Sequence, residues 1–173
     1  MTRGRRNLVL AAAAAAGLAV FGSPAAAQVE AGIRVGAAAP VVSVDDLDGK
    51  PVDLGQWIGK KPVLLEFWAT WCPNCEELLP RVKEAWKVYG EQVQFIGVNV
   101  TVNQKPDRVR RYIAEHEIPF LVLFDDRATS IRAYQAPATA YFVITDASGK
   151  VFYTGLGVDQ QFEAALKAVT ASK

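Results

Sequence analysis

The sequence predicts an α/β fold, a central mixed β-sheet flanked by helices, and three observations predict it. The run Val63, Leu64, Leu65, Phe67, Trp68 is apolar and β-prone almost without a break, as a strand covered on both faces requires. Pro73 then opens a pattern in which Leu78, Leu79, Val82, Ala85, Trp86 and Tyr89 recur at helical spacing until Gly90 stops it. A second buried-strand run, Val93 to Val100, follows, and a strand, helix and strand so joined form a βαβ unit with a parallel pair.

Composition bounds the rest. The chain has 173 residues, 51% hydrophobic and 21% charged, with a formal charge of +1, which describes one ordinary soluble domain and gives no footprint for nucleic acid. Its first segment is different. Arg3, Arg5 and Arg6 precede an apolar run of 14 residues, Leu8 to Phe21, and Ala25-Ala26-Ala27 follows as an A-x-A-like cleavage site. As a helix that run spans about 21 Å, short of the ~30 Å hydrocarbon core, so residues 1–27 read as a signal peptide, with a retained anchor as the alternative. Arg5-Arg6-Asn7-Leu8-Val9 is similar to a twin-arginine export motif with Gly4 where Ser or Thr is usual, and alanine-rich runs also serve the general secretory route, so both routes stay open. Residues 28–173 then form the single domain, with a formal charge of −2 after loss of the three arginines. Neither cysteine lies near the cleavage site to be acylated, and a product free in the periplasm or other exported space is expected.

Taken in order, Val41 to Val44, the turn Leu47-Asp48-Gly49-Lys50 and Pro51-Val52 read as a β-hairpin. Asp53 to Ile58 is a short helical turn, and Gly59-Lys60-Lys61 returns the chain to the central strand. Pro80 removes one backbone bond from the long helix and bends it. Asn103 to Pro119 places Val109, Tyr112, Ile113 and His116 on one helical face; its Arg108, Arg110 and Arg111 read as a solvated basic face, with docking as the alternative. His116, the only histidine, reads as a helix-end boundary residue rather than a base. Phe120 to Phe124 is a strand, Asp125 to Tyr134 a loop with a short helix, and Ala140 to Thr145 a further strand. Asp146 to Lys150 turns the chain into Val151 to Gly155, and Phe162, Ala165, Leu166 and Val169 mark a closing helix.

Cys72 and Cys75 are the only cysteines, and they fall at the start of the long helix. Unpaired N–H groups and the positive end of the helix dipole favour an anion there, so the first thiol should ionise readily, while the second lies one turn in, within disulfide reach. No thiol remains to staple the fold elsewhere, and so short a loop gains little through chain entropy, which leaves a chemical use. Zinc needs about four ligands and His116 is the only further candidate; Glu76 stands where haem attachment requires histidine. Cu(I) accepts two thiolates, which keeps a copper-delivering CxxC module as a rival without a methionine-rich or histidine companion.

The phrase FWATWCPNC, with Trp68, Trp71, Cys72, Pro73, Asn74 and Cys75, followed by Pro80 in the helix, resembles the thioredoxin superfamily, and most of all its exported TlpA/ResA-like thiol:disulfide oxidoreductases. The resemblance implies a thioredoxin-like fold with an N-terminal β-hairpin and an inserted helix, the Asn103 to Pro119 segment, between the CxxC half and a cis-proline half. It implies thiol–disulfide exchange without external cofactor, Cys72 attacking and Cys75 resolving. Partners implied are a disulfide-containing exported protein, such as apocytochrome c or a copper-site protein, and a membrane electron donor of DsbD/CcdA type; a monomer is expected. Pro137 is similar in position to the family's cis-proline, which would place Trp71, Ala136 and Pro137 at the substrate chain. Glu66, the one polar residue in the apolar strand, occupies the place of an acid beneath the active site: burial should raise its pKa and suit it to take the proton of Cys75, whereas an edge glutamate would reach solvent. The chain departs from ResA-like proteins at Leu78, where they carry an acid. The absence of a large helical domain favours a reductase over a DsbA-like oxidant, and Ala69, where peroxiredoxins place threonine, speaks against a peroxidase.

Overall fold

A computed structural model describes Met1 and residues 32–171; the rest of the expected signal peptide and the residues adjoining its cleavage site lie outside the described residues. Seven strands make one sheet: β1 (Ser43–Asp45), β2 (Pro51–Asp53), β3 (Val63–Trp68), β4 (Gln94–Asn99), β5 (Leu121–Phe124), β6 (Tyr141–Thr145) and β7 (Val151–Leu156), in the order β2-β1-β5-β4-β3-β6-β7. The expected parallel pair is present, with Glu66 of β3 opposite Gly97 of β4, and β5 extends it in parallel. β6 and β7 join antiparallel on one side, and the β1–β2 hairpin on the other, so the sheet is mixed.

β3 is enclosed in the way its sequence demands, because all six of its residues are buried. Its alternating side chains enter two layers. On one face lie α1 (Pro73–Tyr89), α2 (Pro106–Glu115) and α4 (Phe162–Ala171): Trp68 meets Tyr112 of α2 at 5.4 Å between ring centroids, and Phe142, opposite Glu66, meets Phe162 of α4 at 4.9 Å. On the other face Phe67 packs on Tyr134, just after the five-residue α3 (Thr129–Ala133), and on Tyr141. Aromatic pairs at such distances add to the area they remove from water.

Local chemistry explains the joints. Both hairpin turns use one device: Asp46 Oδ1 accepts the N–H groups of Asp48 and Lys50, and Asp146 Oδ1 accepts those of Ser148 and Lys150, with Gly49 and Gly149 at positive φ. Asp125, buried after β5, accepts from the N–H groups of Thr129, Ser130 and Ile131 and from the Ser130 hydroxyl, which holds the start of α3. Arg81 ties α1 to α4 through Glu163 at 2.7 Å and through the carbonyls of Val158 and Gln160, with its guanidinium over the Phe162 ring. Pro80 lies inside α1, whose helix continues through it to Gly90.

The proline-bearing half departs from expectation. β6 begins at Tyr141 rather than Ala140, because Ala140 adopts a left-handed conformation, φ 57°, that extended pairing does not allow. Pro137 therefore stands four residues ahead of the strand, exposed, and its peptide bond with Ala136 is trans, not cis. Trans is favoured by about 0.5–1 kcal/mol before proline, and the chain reversal is made instead by the left-handed residues Gln135 and Ala140.

Gly97 is required by contact rather than conformation. A Cβ there would meet Trp68 Nε1 at 2.9 Å and Phe120 Cε2 at 3.4 Å, so the missing side chain is the space the indole occupies. Gly97→Ala should cost about 1–3 kcal/mol through overpacking and alter the Trp68 fluorescence. Urea unfolding checks this; an unchanged midpoint and spectrum would contradict the fit.

Candidate active site

Beyond Trp68 the chain makes a tight turn in which Cys72 N–H donates to the Ala69 carbonyl at 3.1 Å. Cys72 is extended (φ −90°, ψ 108°) and caps α1, its Sγ accepting the Cys75 N–H at 3.2 Å, with Pro73 at the first helical position where its missing N–H costs nothing. The two cysteines are joined by a disulfide, Cα atoms 5.3 Å apart. Both sulfur-bearing residues are nearly buried, Cys72 5% and Cys75 4% exposed, so exposure does not separate attacker from resolver. Their positions differ: Cys72 caps the helix from the turn and Cys75 lies within the first turn of α1.

A segment remote in sequence clamps that turn. Thr70 N–H donates to Gln104 Oε1 at 3.1 Å, Trp71 Nε1 donates to the Val102 carbonyl at 2.7 Å, and Val100 N–H to the Trp68 carbonyl at 2.9 Å. Gln104, itself buried, also lies 3.4 Å from Asn99 Nδ2 and donates to the Asn103 carbonyl. Gln104 escapes a reading of the sequence, because a lone amide in a polar loop carries no pattern that distinguishes a clamp from a solvated side chain, and Asn99, the last residue of β4, is absorbed into the reading of its apolar strand.

Beneath the disulfide, Glu66 is 4% exposed, and among the described residues nothing hydrogen-bonds its carboxyl group. Desolvation alone pushes its pKa up to about 8. Glu66 is thus the buried acid of the two readings, not the solvent-reaching one. With Cys75, Trp68, Leu79, Tyr112, Ile118 and Phe120 it lines a small enclosed cavity of about 10 Å³ of free space, roughly room for one water molecule. The buried Trp68 Nε1 has no hydrogen-bond partner among the described residues. Gly97, over which the indole lies, is the strand partner of Glu66, so the unused donor sits beside the carboxyl group. Tyr112, stacked on His116 at 3.9 Å, closes the cavity; burial, then Glu76 and Glu66, raise its pKa.

Of the residues expected at the substrate chain, Trp71 is 43% exposed and flanks the disulfide directly, Ala136 is half-buried, and Pro137 is exposed. Neither Ala136 nor Pro137 lines the Glu66–Cys75 cavity. Among the described residues no group of three or more His, Cys, Asp or Glu is arranged to hold a metal ion, and no helix is long and apolar enough to cross a membrane.

Comparison with known proteins agrees with this geometry. The Redoxin family model matches residues 34–169. The chain is 32% identical over 142 residues to the thiol-disulfide oxidoreductase ResA of Bacillus thuringiensis subsp. konkukian, with 80% of each chain covered. A thioredoxin-family thiol:disulfide interchange protein from Chlorobium tepidum superposes with a TM-score of 0.66 at 26% identity, covering 80% of this chain and 98% of that one. A secreted Mycobacterium tuberculosis disulfide oxidoreductase homologous to DsbE shares the fold at a TM-score of 0.64 and 22% identity, covering 76% and 96%. A CxxC disulfide capping a helix above a buried acid, in a chain matched over most of its length, gives the conclusion that the protein belongs to the redoxin family as a TlpA/ResA-like thiol:disulfide oxidoreductase of the thioredoxin superfamily.

Proposed function

We propose that the protein reduces disulfides in exported proteins, with Cys72 as nucleophile, Cys75 as resolving thiol and Glu66 as the proton relay. The observation that carries this reading is the water-sized cavity shared by Glu66 and Cys75 beneath the disulfide. Cys72 thiolate attacks one substrate sulfur; the substrate S–S bond breaks, one substrate thiolate leaves, and a mixed disulfide forms. Cys75 then gives its proton toward Glu66, its thiolate attacks Cys72 Sγ, and the second substrate thiolate leaves. Two electrons pass to the substrate, which takes up two protons, and the Cys72–Cys75 disulfide remains.

A carboxyl group with a pKa near 8 suits both directions of that proton. In the disulfide state at neutral pH it is mostly protonated, ready to protonate Cys75 when a donor reopens the bond; a minority is ionised and can accept. Reopening needs a supply of electrons outside the cytoplasm, for which a membrane donor of DsbD/CcdA type is the partner we infer. Export is supported by the apolar N-terminal run and its alanine cleavage site, and by the secreted character of the similar Mycobacterium protein. Apocytochrome c and copper-site proteins are the substrate classes in view, and the inserted helix α2, in a fold with no large helical domain among the described residues, favours the reductive direction.

Three outcomes test the reading. The reduction potential, measured by equilibration with glutathione, should lie nearer the about −270 mV of thioredoxin than the about −120 mV of a DsbA-type oxidant. A value at the oxidising end would reverse the direction proposed. Cys75→Ser should accumulate mixed disulfides with substrate through Cys72, and Cys72→Ser should trap nothing; equal trapping would remove the order of attack. In Glu66→Gln, attack by Cys72 should persist while resolution slows, with about 10²–10⁴-fold as the upper bound for loss of a general base. The same variant carries a stability signature. Because the folded pKa of Glu66 lies above the unfolded value of 4.5, the folded chain retains a proton that the unfolded chain releases, and stability falls as pH rises from 4.5 to about 8. The oxidised Glu66→Gln variant should lack this fall and gain on the wild type across that window. Parallel pH curves from denaturant unfolding would contradict the burial of the acid.

A further inference from the structure

Beside the disulfide, on the side opened by the inserted helix, lies a second recess that the exchange chemistry does not use. It has a volume of about 400 Å³ and is lined by Thr70, Arg108, Arg111, Tyr112 and Glu115. Thr70 is two residues ahead of Cys72, and Tyr112 separates this open recess from the buried Glu66–Cys75 cavity, since it lines both.

The charges in the recess are unspent. Arg110, on another side of α2, is held by Asp107, Asp48 and the Leu47 carbonyl, while Arg81 and Arg127 are paired with Glu163 and Asp45. Arg108 and Arg111 are exposed and, among the described residues, make no ion pair. Three positions apart on a helix they share one face. Glu115 opposes them with a single carboxylate; Lys105, exposed at the cap of α2, and the helix N-terminus add positive field. Thr70 forms part of the wall of the recess, and its hydroxyl lies buried behind that wall with no hydrogen-bond partner among the described residues. Trp71, next in sequence to Thr70, and Val102 present exposed apolar surface, held together by the Trp71 Nε1 bond to the Val102 carbonyl.

We propose that the Thr70–Arg108–Arg111 recess is a specificity subsite for a carboxylate side chain of the polypeptide whose disulfide is exchanged at Cys72. The proposal rests on the reductase reading above and names a property of its substrate: an acidic residue close to the reacting cysteine, with neighbouring apolar residues against Trp71 and Val102. Two guanidiniums match a carboxylate's two oxygens, and the recess of about 400 Å³ is wide enough for a glutamate and adjoining backbone.

The test uses disulfide-linked peptides in which one Glu, or Gln in the control, is moved through about one to four residues on either side of the cysteine, a reach of roughly 4–14 Å. At low ionic strength the wild type should favour Glu over Gln in kcat/KM by about five- to thirty-fold at one position, and the ratio should fall toward one in the Arg108→Gln/Arg111→Gln double variant and at high salt. Taking the ratio within each enzyme cancels any general loss in the variant. A ratio near one at every position in the wild type, or a ratio kept by the double variant, overturns the subsite. Oxidised glutathione separates the source of the carboxylate: dependence on the arginine pair for glutathione but not for peptides overturns the polypeptide assignment. An exchange-free arm, binding of the same peptides with serine for cysteine followed by tryptophan fluorescence, distinguishes the two readings. Preferential Glu binding without peptide reduction would sustain the subsite and refute the reductase; reduction without preference would do the reverse.

Discussion

A carboxyl group buried in the middle of the central strand, without a hydrogen-bond partner among the described residues, is the constraint on which the rest of the site depends. Every residue of β3 is enclosed, and Glu66 is the one among them whose charged form the interior opposes, which is why its pKa rises toward 8. The neighbours accommodate the neutral acid: Gly97 omits a side chain, the Trp68 indole takes that space, and Tyr112 caps the cavity over which Cys75 stands. In the relay proposed above, this acid stores the proton while the disulfide opens and closes. Stability and chemistry are coupled through one group.

The scaffold around it serves position. α1 begins one short turn after β3, so the helix start carrying the cysteines is fixed at the C-terminal end of a central strand, and Arg81 anchors the same helix against α4. Segment 100–104 holds the turn before Cys72 from the side through Gln104 and Val102. The helix that follows this segment, α2, does two things with one face. Tyr112 seals the proton cavity inward, and Arg108 and Arg111 line the recess outward. An inserted helix thereby couples the buried half of the site to the surface that a substrate chain would meet.

Features written into contiguous residues are legible from the amino-acid order alone. The apolar run of β3, the proline-started helical stripe of α1 and the Asp-Gly hairpin turns each follow from near neighbours, and each appears within a residue or two of where the pattern puts it. Glu66 is conspicuous because a lone carboxylate interrupts an apolar strand. The isomer at Pro137 is hidden for the opposite reason. Its proximity to an apolar run is a local fact, but the start of β6 is set by Ala140, buried and left-handed just ahead of Tyr141.

Backbone propensity and hydrophobic period act over a few residues, and from them alone follow the α/β class, the parallel core pair, the redox motif with its place at a helix start, and the presence of a suspect acid. Tertiary packing supplies the relations between distant residues: Glu66 and Cys75 share one cavity, Gln104 clamps Thr70 across 34 positions, and Arg108 and Arg111 line one recess with Thr70 and make no ion pair among the described residues while Arg110 is paired. Those relations join residues from different strands and helices, so they come into being only when the sheet brings its layers together and desolvation gives each polar group a partner or leaves it without one.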